Sequence, residues 1–324
     1  MQIPTITPYA ADEFSTLKKA IIYAGANPKP LYPLNDVAMQ RGTKHIDASE
    51  FSRLADFLVK QNIELYSPFR FGKNVKSLQE SFGGNQYCRD ALGVIDGQAF
   101  LTNPPKFTPK DMERHESIFR QVSESQRHKL QTTWTWGNAL LHEDTLLTGT
   151  VVPGAIPGLT ADLHQKSKLV AAQQKGERQQ IQEALDQHDI SRTLVEIPLR
   201  DIDDIDCVLA PLPRKKRKDQ RKALWLQNRF HDSARGLLKN HFDELIPVKD
   251  SFAFMPCNLL WINPSTVIVP TEAKGVTKLL KKLKYRVHNF SFAERIQIGV
   301  QSEQNYGGWR CNIGVLERGK DYKG

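Results

Sequence analysis

The chain has 324 residues, of which 40% are hydrophobic and 25% charged, an ordinary globular composition with length enough for a large core. Four cysteines are too few for a disulfide framework, no apolar run nears the ~18 residues of a membrane helix, and the opening MQIPTITPYAADEF lacks the basic and apolar parts of a secretory leader; a protein of the reducing cytoplasm, without membrane contact, is expected. The formal charge is +9, from 45 Lys and Arg against 36 Asp and Glu, and much of the excess lies in Arg214–Lys222 (RKKRKDQRK, seven bases to one acid), with a second basic stretch from Lys274 to Arg286. Such local patches read either as solvated loops or as contacts for a polyanion.

The elements repeat in chain order. LKKAIIYAG reads as a strand, FSRLADFLVKQN as a helix with Phe51, Leu54, Phe57 and Leu58 on one face, and IELYSPF as a strand. ALGVIDGQAFL reads as two strands about a tight turn, DMERHESIFRQVSE as a helix, and HKLQTTWTW as a β-rich run. The pattern returns as NALLHEDTLLTG, IQEALDQHD and TLVEIPL. It returns again as DCVLAPLPRKKRKDQRKALWL, with the basic loop inside the hairpin, then SARGLLKNHF and DELIPV. NLLWINPSTVIVP, VTKLLKKLKY and RVHNFSF form a fifth copy, and CNIGVLER supplies a last strand able to pair with the first. Strand–strand–helix–strand repeated five times predicts one closed α/β domain of five blades, with approximate modules 16–80, 81–134, 135–200, 201–250 and 251–318.

One position aligns through the copies: Asp90, Asn138, Asp206, Asn258 and Asn312 each open the first strand of a unit. Asp and Asn at such junctions often bond nearby backbone, which is the plain explanation for most of them. The cysteines, Cys88, Cys207, Cys257 and Cys311, flank these points and are expected near one axis. They form no C-x-x-C pair, so neither a metal nor a cofactor is expected from their spacing.

These residues resemble a known family. GGWRC at Gly307–Cys311 is similar to the C-terminal nucleophile motif of the guanidine-modifying enzymes: arginine deiminases, dimethylargininases, agmatine deiminases and amidinotransferases. CRDALGVI resembles their Arg-Asp motif at Arg89 and Asp90, WGNALLHEDTLLTG their Glu-Gly-Gly-Asp blade, and IDDIDCVLAPL their His-x-Asp blade. The resemblance runs from Leu17 to Arg318 and implies the pentein fold, a five-bladed α/β propeller. It also implies a small cationic guanidino-type substrate, with Cys311 as nucleophile and Asp206 and Asp90 retained as carboxylates. The chain departs from the pattern where the family's Glu falls on Thr135, its first Gly on Trp136, its Asp on Asn138 and its His on Asp204.

The implied chemistry is thiolate attack on an amidine carbon, giving a covalent thiouronium that water or an amine resolves. A thiol of pKa about 8.5 needs positive charge beside it, which the bound guanidinium supplies and Arg310 can assist. Asp90 and Asp206 are the expected carboxylate clamp, with Arg89, Thr135, Asn138 and Arg310 lining the substrate. Asp204 is the expected substitute for the family histidine as general acid, if neighbouring carboxylates keep it protonated, while the bulk of Trp134 and Trp136 reshapes the pocket. The other reading is a catalytically impaired member that works by binding, to nucleic acid or an acidic partner, through loop 214–222. Nothing in the pattern sets an oligomeric state.

Overall fold

The computed structural model describes residues 6–22, 48–66, 88–104, 109–152, 161–200, 204–291 and 308–322. In chain order these form β1 (Leu17–Ile22), α1 (Ala48–Lys60), β2 (Glu64–Tyr66), β3 (Leu92–Ile95), β4 (Gln98–Leu101), α2 (Pro109–Phe119) and β5 (Arg127–Lys129). There follow β6 (Leu140–His142), β7 (Thr145–Val151), α3 (Ala161–Gln187), β8 (Thr193–Leu199), β9 (Leu209–Leu212), β10 (Lys222–Trp225), α4 (Ala234–His241) and β11 (Glu244–Pro247). The last elements are β12 (Leu260–Asn263), β13 (Thr266–Pro270), α5 (Lys274–Lys282), β14 (Arg286–Phe290) and β15 (Ile313–Arg318).

The strands make five three-stranded sheets, ordered β15-β1-β2, β3-β4-β5, β6-β7-β8, β9-β10-β11 and β12-β13-β14. Each holds one antiparallel pair, then a parallel pair whose crossover carries a helix. The first and last strands pair, Ile22 opposite Ile313 and Ala20 opposite Val315, so the chain closes on its own beginning. The β3–β4 hairpin turns at Asp96 and Gly97, with φ of 45° and 88°; two positive values in a two-residue turn match the right-handed strand twist, and Asp-Gly tolerates both.

The strands are buried on both faces. Leu260 and Ile262 of β12, Ile268 of β13 and Leu141 and Leu146 of β6 and β7 belong to one apolar cluster. Their neighbours Trp261, Val267, Val269, Leu140 and Leu147 point into a second. Alternation along each strand thus divides the core between the sheet faces. In α5, Val276 and Leu280 are buried while Lys274, Lys278, Lys281 and Lys282 are exposed.

Two elements differ from expectation. Helix α3 is 27 residues long, whereas only IQEALDQHD reads as helical by its apolar spacing. The upstream part is polar and bears an exposed Leu169 (65%); its Gln, Lys, Ala and Glu content favours helix without any apolar face to mark it. Strand β5 ends at Lys129, and Trp134 and Trp136 leave the ladder for the core (1% and 3% exposed).

Candidate active site

The five aligned Asp and Asn side chains are all buried, each on or beside a short turn leading into its sheet. Asn138 does more than bond its own turn. Its Oδ1 accepts from Gly149 N (2.9 Å) and from Ile205 N (3.2 Å), while Nδ2 donates to Gly149 O (2.9 Å). It therefore ties the third unit to the turn that opens the fourth. Asn258 repeats the device: its Oδ1 accepts from Arg310 N (2.9 Å) and Cys311 N (3.2 Å), fixing the backbone before β15. Asn138→Ala leaves buried N–H and C=O groups without partners, and urea titration should show a loss of about 3 kcal/mol; a loss under about 0.5 kcal/mol would show that water takes over these bonds.

Beneath the turns lies a buried ion-pair cluster. Arg310 (4% exposed) pairs with Asp206 through Nη1 (2.5 Å) and with Glu13 through Nη2 (2.7 Å). Arg89 reaches the same Glu13 oxygen at 2.8 Å, and both guanidiniums donate to Ala139 O, at 3.1 and 3.4 Å. Burial acts to raise the Glu13 carboxyl, but Arg310, Arg89 and Arg318 outweigh it and hold the group far below the usual carboxylate range. Glu13 and Asp206 in turn overcome burial to raise Arg310, so the cluster is charged on both sides.

Cys311 sits above this cluster at 2% exposure. Its Sγ accepts from Asn258 Nδ2 (3.0 Å) and lies 3.5 Å from Asp206 Oδ2. Cys207 Sγ is beside it, 3.4 Å from Asp206 Oδ1. The hydrogen bond from Cys207 pulls the Cys311 thiol down. Burial and the Asp206, Asp90 and Asp204 carboxylates outweigh that pull and leave it above its ordinary value. Cys207 is pushed up further, first by its bond to Cys311 and then by burial. As it stands, the site holds thiols, and a cation placed among the carboxylates is what would make Cys311 a thiolate.

Asp90 and Asp204 converge on Gly137. Their carboxylate oxygens lie 2.6 and 2.8 Å from the place a Cβ would take there, so the glycine is what leaves room for both. Thr135 Oγ1 donates to Asp204 at 2.9 Å. A cavity lined by Glu13, Arg89, Arg318 and Trp136 does not include Cys311 in its wall.

No protein-family model and no curated protein sequence matches the chain. Solved structures do. SxtG, an amidinotransferase from Microseira wollei in the saxitoxin biosynthetic pathway, superposes with a TM-score of 0.62 at 11% identity over 98% of this chain and 99% of that one. The inosamine-phosphate amidinotransferase StrB1 from Streptomyces griseus gives 0.60 at 14% identity, over 98% and 99%. A dimethylarginine dimethylaminohydrolase in adduct with S-methyl-L-thiocitrulline gives 0.57 at 14%, over 92% and 99%. The fold is the pentein fold. At these identities the likeness is one of fold.

On the pentein framework, Cys311, Asp206, Asp204 and Asp90 come together as the sequence leads one to expect, with Thr135 on Asp204. Arg89, Arg310 and Asn138 are placed otherwise than expected: the arginines turn inward to Glu13 and Asp206, and Asn138 binds backbone. Trp134 and Trp136 are core residues, and Trp136 lines the cavity beside Glu13 and Arg89. Trp136 lies flat on Gly93, where a Cβ would fall 2.2 Å from its ring. Glu13 and the roles of Asn258 and Cys207 were missed; Asn258 and Cys207 carried a signal in the aligned positions, whereas Glu13 carried none. Asp201, Asp203 and Gly307 lie outside the described residues, as does the Cys88 side chain.

The histidine nearest the third unit's turn, His142, is a core group on β6 (7% exposed) whose Nε2 meets His241 O at 3.1 Å. Burial pulls it down to about 4. A base depressed in the folded state binds fewer protons than in the unfolded chain, so its contribution is full above pH ~6.5 and is lost as pH falls toward 4. Thermal melts at pH 7 and pH 4.5 should show His142→Gln narrowing the acid loss of stability; an unchanged loss would assign it to other groups.

Proposed function

We propose that this protein is a cysteine-dependent enzyme acting on a guanidino or amidine C–N bond, as a hydrolase or an amidinotransferase, from a single five-module domain. The observation that supports this best is the Cys311 thiol buried against Asp206, with the Asp90 and Asp204 carboxyl groups near enough to affect it. The three similar structures, two amidinotransferases and a dimethylarginine dimethylaminohydrolase, support that chemistry.

In this reading a guanidinium enters between Asp90 and Asp204, over Gly137, and its charge brings Cys311 to the thiolate, the thiol proton passing to solvent. Sulfur attacks the amidine carbon, the C–N bond breaks, and Asp204 passes its proton to the departing amine. The resulting thiouronium is resolved by water or by a second amine, whose proton returns to Asp204 as the Cys311 thiolate departs. Asp206 serves by holding Arg310, and through it the wall beneath the sulfur. No cofactor enters the scheme. Capture of the thiouronium on Cys311 tests it.

A binding-only protein is the weaker reading, because the nucleophile and three carboxylates are assembled. The basic loop nonetheless has a place. Its tip, 215–220, is exposed, while its roots are paired: Arg214 with Glu143 (2.8 Å), Arg221 with Asp243 (3.0 Å), and Lys222 with Glu244. Lys215 Nζ reaches Leu283 O (3.4 Å), which joins the tip to the lysines of α5. We propose this face as a polyanion contact of the enzyme. Heparin retention unaltered by Lys215, Lys216, Arg217 and Lys218→Ser would remove it. Among the described residues no helix is long and apolar enough to cross a membrane. A free Cys311 beside Cys207 suits the reducing cytoplasm.

A further inference from the structure

The spacing of the cysteines along the chain gives no sign of a metal, yet folding brings two of them and a carboxylate to one point. The Cys207 and Cys311 sulfurs and an Asp206 oxygen all lie within 4.8 Å of one another, and all three residues are buried. Asp206 Oδ1 is 3.4 Å from Cys207 Sγ and 3.7 Å from Cys311 Sγ. With Zn–S and Zn–O lengths of about 2.3 and 2.1 Å, a tetrahedral ion sets ligand separations of about 3.6 Å between sulfur and oxygen and about 3.8 Å between sulfurs. We propose that Cys207, Cys311 and Asp206 form a site for a thiophilic divalent cation, Zn2+ or Cd2+, which holds the Cys311 sulfur as a metal thiolate.

The surroundings suit that role. Arg310 holds Asp206 through Oδ2, which is also 3.5 Å from Cys311 Sγ, and Oδ1 lies within 3.7 Å of both sulfurs and takes no bond from Arg310. Asn258 Nδ2 points at both sulfurs, 3.0 Å from Cys311 and 3.7 Å from Cys207, and an amide N–H is a fitting outer donor to a metal thiolate. Charge balances as well: two thiols release two protons to solvent as one doubly charged ion binds, so the net charge among Glu13, Arg89, Arg310 and Asp206 does not change. Hard, oxygen-seeking ions such as Mg2+ and Ca2+ do not fit two sulfurs. Three protein donors leave one tetrahedral position open, the pattern of an exchangeable ion rather than a structural one. Binding here is independent of the reaction proposed above. Its consequence rests on that reading: a nucleophile held by metal is reversibly switched off.

The probe is Cd2+ added to reduced, metal-free protein, followed by the ultraviolet thiolate-to-cadmium absorption. One equivalent should saturate a band with the intensity of two thiolates. Cys207→Ser should halve the band and weaken binding at least 100-fold, with its circular dichroism unchanged; Cys207→Ala replaces it should the serine variant not fold. Cys257→Ala should leave the band as it is. No saturable band, or the same band in the Cys207 variant, overturns the site. A band without any guanidino adduct on metal-free Cys311 would leave the metal site standing and remove the proposed reaction, and an adduct without a band would do the reverse.

Discussion

Glu13→Gln should cost about 3–5 kcal/mol of folding stability, although the side chain barely changes shape. The Glu13 carboxylate is the only acidic group among the described residues seen to bond both Arg89 and Arg310, and all three are largely buried. Its removal leaves two guanidiniums facing one another with Asp206 alone to balance them, and an uncompensated buried charge is costly where a complete cluster is nearly neutral. The effect should reach the site too, because Arg310 sets the Asp206 carboxylate beside the Cys311 sulfur. Urea denaturation of wild type and Glu13→Gln at pH 7 measures it. Because the folded carboxyl is held far down, its stabilisation is complete above pH ~4.3 and fades only in stronger acid. A loss below about 1 kcal/mol would show that the pairs are screened by water.

Asp204→Asn should lower kcat about 1000-fold and leave substrate binding within a few-fold, since Asp90 still faces the cation across Gly137. The amide keeps the shape and can still accept from Thr135, but it cannot carry the proton that the leaving amine needs. In the wild type, activity should fall as pH rises through the ionisation of Asp204, and that limb should be absent from the Asn variant. Identical pH–rate profiles for the two proteins would take Asp204 out of the mechanism.

The fold was legible because hairpins and amphipathic helices are local. The Asp-Gly turn, the Val276 and Leu280 stripe and the closing CNIGVLER strand are each read within a dozen residues, and five repetitions reinforce one another. The carboxylates Asp90 and Asp206 and the thiol Cys311 were found through motifs at matching places in the repeat. What escaped depends on distance along the chain. Arg310 meets Glu13 across nearly the whole sequence, and no spacing rule connects them. An arginine beside a nucleophile reads as a substrate or activating group until its partners are seen. Asn138 and Asn258 stood in the alignment, but an Asn that binds its own turn and one that binds the next unit look alike in sequence. The seat of Trp136 was hidden for a related reason: Gly93, more than forty residues earlier, leaves the space for its ring.

The central claim is that Cys311 is a nucleophile toward guanidino compounds. The most direct measurement is intact and peptide mass spectrometry of acid-quenched, metal-free protein after brief exposure to a panel of guanidino and amidino compounds, including S-methylthiocitrulline-type traps. The account predicts one covalent adduct per chain for at least one compound, on the peptide bearing Cys311, lost in Cys311→Ser and formed far more slowly in Asp204→Asn wherever the leaving group is an amine. An adduct confined to Cys88, Cys207 or Cys257, or none across the panel with the protein folded, would contradict it.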